Sequence, residues 1–206
     1  MWSNAVRQLT NELTKLHKWG VVHFDIKPEN CTLDADGNWH LIDFGLARKL
    51  FPPSKHFNNV GTMPYICPLL SKHQKPLLDL CIGTNRSSEL FNKRCDYFSF
   101  AITMLSYVGL ECTMEDVKVN GKATSAVVLN IDKIHDIADE GVYGFDEKHN
   151  EIVLILAKLV LANVYTNTSY IAWTPKDKVC TMIPAGNGTV YDFDTEDLWN
   201  SLLKSI

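Results

Sequence analysis

The stretch from Val21 to Gly45 constrains the fold of this chain more than any other. Two short apolar runs within it each lead into polar residues, the first at 25–30 and the second at Asp43. The segment 34–37, Asp-Ala-Asp-Gly, has the composition of a tight turn, since Asp and Gly tolerate positive φ. A hairpin across this turn is expected to bring Asn30 and Asp43 side by side. Two such oxygen ligands suit Mg²⁺, which completes its shell with phosphate and water.

Four segments of the chain resemble motifs of the protein kinase family and occur in that family's order. His23-Phe24-Asp25-Ile26-Lys27-Pro28-Glu29-Asn30 resembles the catalytic loop, and Asp43-Phe44-Gly45 resembles the magnesium-binding D-F-G. The segment 61–68 resembles the end of an activation segment. The segment 96–100 resembles the start of the central buried helix of the large lobe. A single D-F-G would carry little weight, whereas four motifs in order indicate the family.

The resemblance implies a catalytic role for each polar residue of the two loops. Asp25 matches the catalytic base, which accepts the proton of the substrate hydroxyl, and Lys27 matches the residue that steadies the γ-phosphate. Asn30 and Asp43 match the metal ligands, and Lys27, Asn30 and Asp43 are therefore also expected to contact the cofactor. The implied cofactors are ATP and Mg²⁺, and the implied partner is a protein substrate.

Other matched positions have supporting roles in the family. Thr32 occupies the position beneath the adenine ring, where a large aliphatic residue is usual, so base binding is expected to lose on the order of 1 kcal/mol of apolar contact. Thr62, in the activation segment, is expected to hydrogen-bond near Asp25 and Lys27. Lys27 together with Thr62 is typical of Ser/Thr rather than Tyr kinases. Three further residues are expected to be structural: His23, Phe44, and Asp96 as an acceptor of backbone hydrogen bonds from the catalytic loop.

Two positions depart from the family pattern. Phe24 stands where most regulated kinases have an arginine that pairs with a phosphate on the activation segment. Leu69 stands where the family has a glutamate that pairs with an arginine near the end of the lobe, and the last third of this chain has no arginine. The motif residues could therefore also be inherited scaffolding in an inactive protein, a pseudokinase.

Hydrophobic spacing predicts helices outside the motifs. Apolar residues recur at three- and four-residue spacing over 2–18, and the apolar run 151–165 is too short to span a membrane. Asp194 is a candidate N-cap for a helix that runs to the C-terminus. We therefore expect a mainly α large lobe with one small hairpin at 31–42. The expected domain covers 1–206, with recognisable motifs over about 9–107 and an insertion at about 70–92.

Upstream of Val21, nothing resembles the glycine-rich loop or the strand lysine with which kinases clamp the ATP phosphates. The expectation is a truncated kinase that lacks the small lobe, or a fragment that starts at an internal methionine. Loss of the small lobe would expose the upper face of the large lobe, which predicts self-association or binding to another kinase. The residues expected to form this apolar face are Val21, Val22, Leu33, Ile42 and Phe44.

Charge and cysteine content limit the kinds of partner and location that the sequence suggests. With 20 basic and 24 acidic residues and a net charge of −4, the chain gives no reason to expect nucleic acid or an anionic membrane as a partner. The six cysteines have no metal-ligand spacing, and no signal peptide is recognisable, so an intracellular location is expected. Two functions remain: a Ser/Thr kinase, or an inactive lobe that binds and regulates another kinase or its substrate.

Overall fold

The computed structural model describes residues 1–50, 60–70, 88–119, 121–175, 179–183 and 189–206. These residues form a mixed α/β fold with antiparallel sheets, one of them four-stranded. The helices are α1 (Trp2–Lys18), α2 (Ser88–Ser106), α3 (Ile131–Glu140), α4 (Glu147–Leu161) and α5 (Thr195–Ser205). The strands are β1 (Val21–Val22), β2 (Cys31–Leu33), β3 (Trp39–Leu41), β4 (Arg48–Lys49), β5 (Cys112–Val119), β6 (Lys122–Asn130), β7 (Tyr170–Thr174) and β8 (Val179–Ile183).

Helix α1 confirms the prediction from hydrophobic spacing. Its apolar stripe, which includes Val6, Leu9 and Leu13, is buried, and Thr10 and His17 are buried with it. Gly20 follows the helix with φ +73°, a left-handed conformation that costs glycine little and allows the chain to turn. The turn directs the chain into β1 and the catalytic loop.

The predicted hairpin at 31–42 is confirmed. β2 pairs with β3 in antiparallel register, with Cys31 opposite Leu41 and Leu33 opposite Trp39. The Asp34 carboxylate accepts backbone N–H bonds from Asp36 and Asn38 at 2.9 and 2.8 Å, which stabilises the turn. A second pair, β1 with β4, joins the chain before the catalytic loop to the chain after the D-F-G segment.

The central helix begins earlier than predicted. α2 starts at Ser88, whereas the sequence suggested a start at Asp96, and the described helix therefore includes the end of the predicted insertion at 70–92. Phe98, Phe100 and Met104 of α2 are fully buried at the centre of the core. α4 confirms the predicted buried helix near 151–165. Among the described residues, no helix is long and apolar enough to span a membrane.

The prediction of a mainly α fold is wrong for the second half of the chain. There β5 to β8 form a four-stranded antiparallel sheet in sequential order. The sequence contained a signal for the first hairpin of this sheet. The dipeptide Asn-Gly at 120–121 strongly favours a two-residue turn between strands, and the residues before it alternate between apolar and polar. Leu129, Ile171 and Trp173 project from one face of this sheet into the helical core.

The C-terminal helix confirms the Asp194 N-cap, whose carboxylate accepts the N–H bonds of Glu196 and Asp197. Trp199 of α5 stacks on Tyr97 with ring centroids 4.4 Å apart, and its indole N–H donates to Thr14 Oγ1 at 3.0 Å. α5 is thereby attached to both α1 and α2. Two predicted features, the middle of the activation segment at 51–59 and most of the insertion, at 71–87, lie outside the described residues.

Candidate active site

The start of the catalytic loop is held in place by hydrogen bonds to Asp96 of α2. The fully buried Asp96 carboxylate accepts the backbone N–H of His23 and of Phe24, both at 2.8 Å, and also contacts His17 Nε2 at 2.8 Å. Phe24 has φ +63°, an unusual conformation for a bulky residue that costs on the order of 1–3 kcal/mol. The hydrogen bonds from its own N–H and from the preceding one to Asp96 hold it in place. Asp25 follows directly.

Three side chains converge on Asp25. Thr62 Oγ1 donates to Asp25 Oδ1 at 2.7 Å, Lys27 Nζ lies 3.0 Å from Oδ2, and Asn30 Nδ2 lies 3.2 Å from Oδ2. Lys27 also donates to Thr62 Oγ1 at 2.9 Å. Burial raises the pKa of the Asp25 carboxyl, but the hydrogen bonds from Thr62 and Lys27, with the Lys27 charge, lower that pKa below its usual value overall. Asp25 is therefore a carboxylate at neutral pH.

Gly61 allows Thr62 to approach this loop. It has φ +114°, and a Cβ placed on it would lie 2.8 Å from the Phe24 carbonyl oxygen, which is backbone and cannot easily shift. Only glycine fits both the conformation and the space. The activation segment therefore contacts the catalytic loop closely at this point, and Thr62 is brought to Asp25 and Lys27.

The residue before Asp43 is hydrogen-bonded to the backbone of Asn30. The N–H of Ile42 donates to the Asn30 carbonyl at 2.9 Å, and Asp43 has φ +60° with Oδ1 accepting the Gly45 N–H at 3.2 Å. The Phe44 ring contacts the His23 ring at 4.9 Å, and His23 Nε2 lies 3.1 Å from the Ile42 carbonyl. His23 and Phe44 thus link the two loops.

The two predicted metal ligands fit a hard cation. The Asn30 amide nitrogen donates to Asp25, leaving Oδ1 for a cation, and Asp43 Oδ2 is likewise available. The described residues contain no cluster of three His, Cys, Asp or Glu side chains that could hold a metal. A cation here would have two protein oxygens, which suits Mg²⁺ with its remaining positions on phosphate and water.

The predicted apolar face needs a correction. Leu33, Ile42 and Phe44 are 45%, 42% and 49% exposed, but Val22 is fully buried and Val21 is partly buried. Val22 is buried because β1 lies beneath the catalytic loop, against helices α1 and α2. Thr32 is partly buried on β2 opposite His40. Of the five residues predicted for this face, the exposed ones therefore lie in the hairpin and the D-F-G segment.

Sequence reasoning missed the residues that hold the hairpin onto α1. Gln8 Oε1 accepts the Trp39 N–H and Glu12 Oε2 accepts the Leu41 N–H, both at 2.8 Å. These contacts satisfy two backbone donors of β3. His17 was also missed, although a histidine that follows directly on an apolar helical stripe was a signal for a buried polar contact.

The comparisons with known proteins agree with this geometry. The protein kinase domain family matches residues 2–165, and the chain therefore belongs to the protein kinase family. The chain is 42% identical over 64 residues to cGMP-dependent protein kinase 2 of Rattus norvegicus. It is 35% identical over 77 residues to sperm motility kinase 3A of Mus musculus, and 36% identical over 61 residues to serine/threonine-protein kinase AtPK1/AtPK6 of Arabidopsis thaliana.

Each of these similarities covers only part of this chain and only part of the relative. They cover 31%, 36% and 30% of this chain, in the same order, and only 8%, 15% and 13% of the three relatives. The chain thus spans a small part of the curated relatives that it matches. Family membership is shown over most of the chain, and the similarity to individual kinases extends over about a third of it.

Proposed function

We propose that this chain is the large-lobe portion of a Ser/Thr protein kinase, which transfers the γ-phosphate of ATP to a Ser or Thr hydroxyl of a protein substrate. The observation that carries the proposal is the convergence of Thr62, Lys27 and Asn30 on the Asp25 carboxylate. Membership of the protein kinase family and the similarity to serine/threonine kinases support it.

In this mechanism Asp25 orients the substrate hydroxyl and accepts its proton on a carboxylate oxygen. Thr62 and Lys27 hold the carboxylate in one orientation and favour its ionised form, which is the form that a base requires. The Lys27 ammonium also places a positive charge where negative charge develops on the transferred group. Because Asp25 is only 6% exposed, the proton acceptor is partly shielded from water.

Asn30 and Asp43 would hold Mg²⁺ through Asn30 Oδ1 and Asp43 Oδ2. The ion, when bound with ATP, supplies charge neutralisation for the phosphates. Thr32 would lie beneath the adenine ring. Asp43 has a left-handed backbone, with φ +60°, and Asn tolerates this conformation nearly as well as Asp.

The second candidate function is that of a catalytically inactive lobe that binds and regulates another kinase or its substrate. The exposure of Leu33, Ile42 and Phe44, on the hairpin and the D-F-G segment, favours it. Exposed apolar residues that cluster commonly mark interaction sites. The same face would also allow self-association.

Calorimetric titration with Mg·ATP, followed by a phosphotransfer assay, separates the two functions. The kinase proposal predicts that Asp43→Asn weakens Mg·ATP binding about tenfold or more, because the charge that holds the ion is removed. Asp25→Asn should retain Mg·ATP binding and lose transfer to a Ser-containing peptide. The matched peptide with Tyr in place of Ser should not be phosphorylated.

The controls are thermal melts of both variants, which should match the wild type within a few degrees. Asp139→Asn, an exposed substitution of the same kind on α3, should leave Mg·ATP affinity unchanged. If the wild-type chain binds no Mg·ATP but binds another kinase, with loss of binding in Leu33→Glu, the regulatory function is correct and the enzymatic one is wrong.

A further inference from the structure

A groove runs between helix α1 and strand β3. It is separate from the site around Asp25. One part of it, the polar part, has a volume of about 490 Å³ and is lined mostly by polar residues, among them Arg7, Asn11 and His40. The adjoining part, of about 260 Å³, is mainly apolar. Glu12 and Lys15 line both parts and make them continuous. The apolar part is lined in addition by Leu16, Trp19, Leu41 and Phe44.

The polar part of the groove has a small excess of positive charge. Among its described lining residues Arg7 and Lys15 are cationic, and Glu12 is the one carboxylate. Glu12 accepts the Leu41 N–H at 2.8 Å and lies 3.6 Å from His40. Arg7 donates to the neutral Asn4 side chain, and in the part of the chain that is described neither Arg7 nor Lys15 forms an ion pair. The chain as a whole has a charge of −4, so the net positive lining of this part runs against the overall charge.

The apolar part exposes two aromatic side chains. Trp19 is 78% exposed and Phe44 is 49% exposed. Tryptophan is among the residues that contribute most to binding when buried by a partner, because it removes a large rigid apolar surface from water. Covering Trp19 beside Leu16 and Leu41 would therefore be favourable for an apolar side chain of matching size.

We propose that this groove is a docking site for an extended acidic segment of a partner protein that carries a large apolar residue a few positions from its carboxylates. The carboxylates pair with Arg7 and Lys15, and the apolar residue packs on Trp19. Residues 7 to 19 of the helix and its end cover about 18 Å at 1.5 Å per residue, which matches about five or six residues of extended chain. This docking function goes beyond the proposed phosphotransfer and does not depend on it.

Fluorescence anisotropy with a defined probe tests the proposal. The probe is a fluorescein-labelled peptide of three glutamates, two glycines and a Leu-Phe pair, and the matched peptide has three lysines in place of the glutamates. The intact chain should bind the acidic peptide at least about tenfold more tightly than the basic one, with weaker binding at high salt. Equal affinity for both peptides, or no binding of the acidic one, overturns the proposal.

Substitutions then locate the site. Arg7→Glu combined with Lys15→Glu should reduce affinity for the acidic peptide about tenfold or more, and Trp19→Ala should do so while retaining the salt dependence. Lys204→Glu and Lys122→Glu, exposed charge reversals elsewhere, should leave affinity unchanged. Circular dichroism checks that each variant is folded. If the controls weaken binding as much as Arg7 and Lys15 do, or if the groove variants abolish only self-association, the proposed occupant is wrong.

Discussion

The Asp96 carboxylate and the His17 imidazole meet 2.8 Å apart in the buried core, directly beneath the catalytic loop. The same carboxylate accepts the backbone N–H groups of His23 and Phe24. One side chain of α2 thus fixes the end of α1 and the start of the loop that carries Asp25. The position of the proposed base depends on a residue that does not itself approach a substrate.

Asp96→Ala should be strongly destabilising. It leaves two buried backbone donors without an acceptor, at about 1–3 kcal/mol each, and removes the contact with His17, so we expect a loss of at least about 3 kcal/mol in the free energy of unfolding measured with urea. The exposed Asp43→Asn should change it by less than about 1 kcal/mol. Similar losses for the two variants would contradict the role of Asp96 as the support of the loop.

Thr62→Val should raise the pKa of Asp25. It keeps the shape of the side chain but removes the hydrogen bond that, after burial, has the largest effect on that pKa. In the wild type the pKa of Asp25 is depressed below 3.8. The stability that these contacts contribute is therefore lost as the pH falls through the pKa of Asp25. In Thr62→Val this loss should be smaller and should be complete at a higher pH. Carboxyl NMR titration measures the pKa, and Thr62→Ser, which keeps the hydroxyl, should resemble the wild type.

Gly61→Ala should disturb the contact between the activation segment and the catalytic loop. A Cβ at this position meets the Phe24 carbonyl at 2.8 Å and also requires an unfavourable φ, so a loss of about 2–4 kcal/mol in unfolding free energy is expected. Gly37→Ala tests the conformational cost alone, since nothing lies within 4 Å of its added Cβ. A smaller effect at Gly61 than at Gly37 would show that the close approach is unimportant.

The stability contributed by His40 should depend on pH. The hydrogen bond with Asp34, and secondarily the nearby Glu12, raise the pKa of His40, while the pKa of Asp34 is lowered to about 2. The contribution is full below the ordinary histidine pKa of 6.5 and is lost as the pH rises through the raised value. The stability difference between wild type and His40→Gln should therefore shrink as the pH rises from 6.5 through the raised pKa of His40. In an Asp34→Asn background this pH dependence should largely disappear, and if it persists, another group is responsible.

Local sequence signals predicted the elements whose pattern is complete within a few residues. The apolar stripe of α1, the Asp34-to-Gly37 turn and the Asp194 N-cap each specify their structure through neighbours in sequence. The Asn-Gly signal at 120–121 was equally local, and the hairpin of β5 and β6 could have been expected from it. What the sequence did not indicate was the pairing of β6 with β7, since that depends on strands far apart in the chain.

The sequence by itself determined the family, the order of the catalytic motifs and the residue types that Mg²⁺ and a phosphate-transfer base require. Only the tertiary structure decided that Thr62 contacts Asp25 across the chain, that Val22 is buried while Leu33 and Phe44 are exposed, and that Arg7 and Lys15 share a groove with Trp19. The reason is physical: residue type and local spacing set what a side chain can do, but burial, pKa and neighbouring charge depend on which distant segments fold against it.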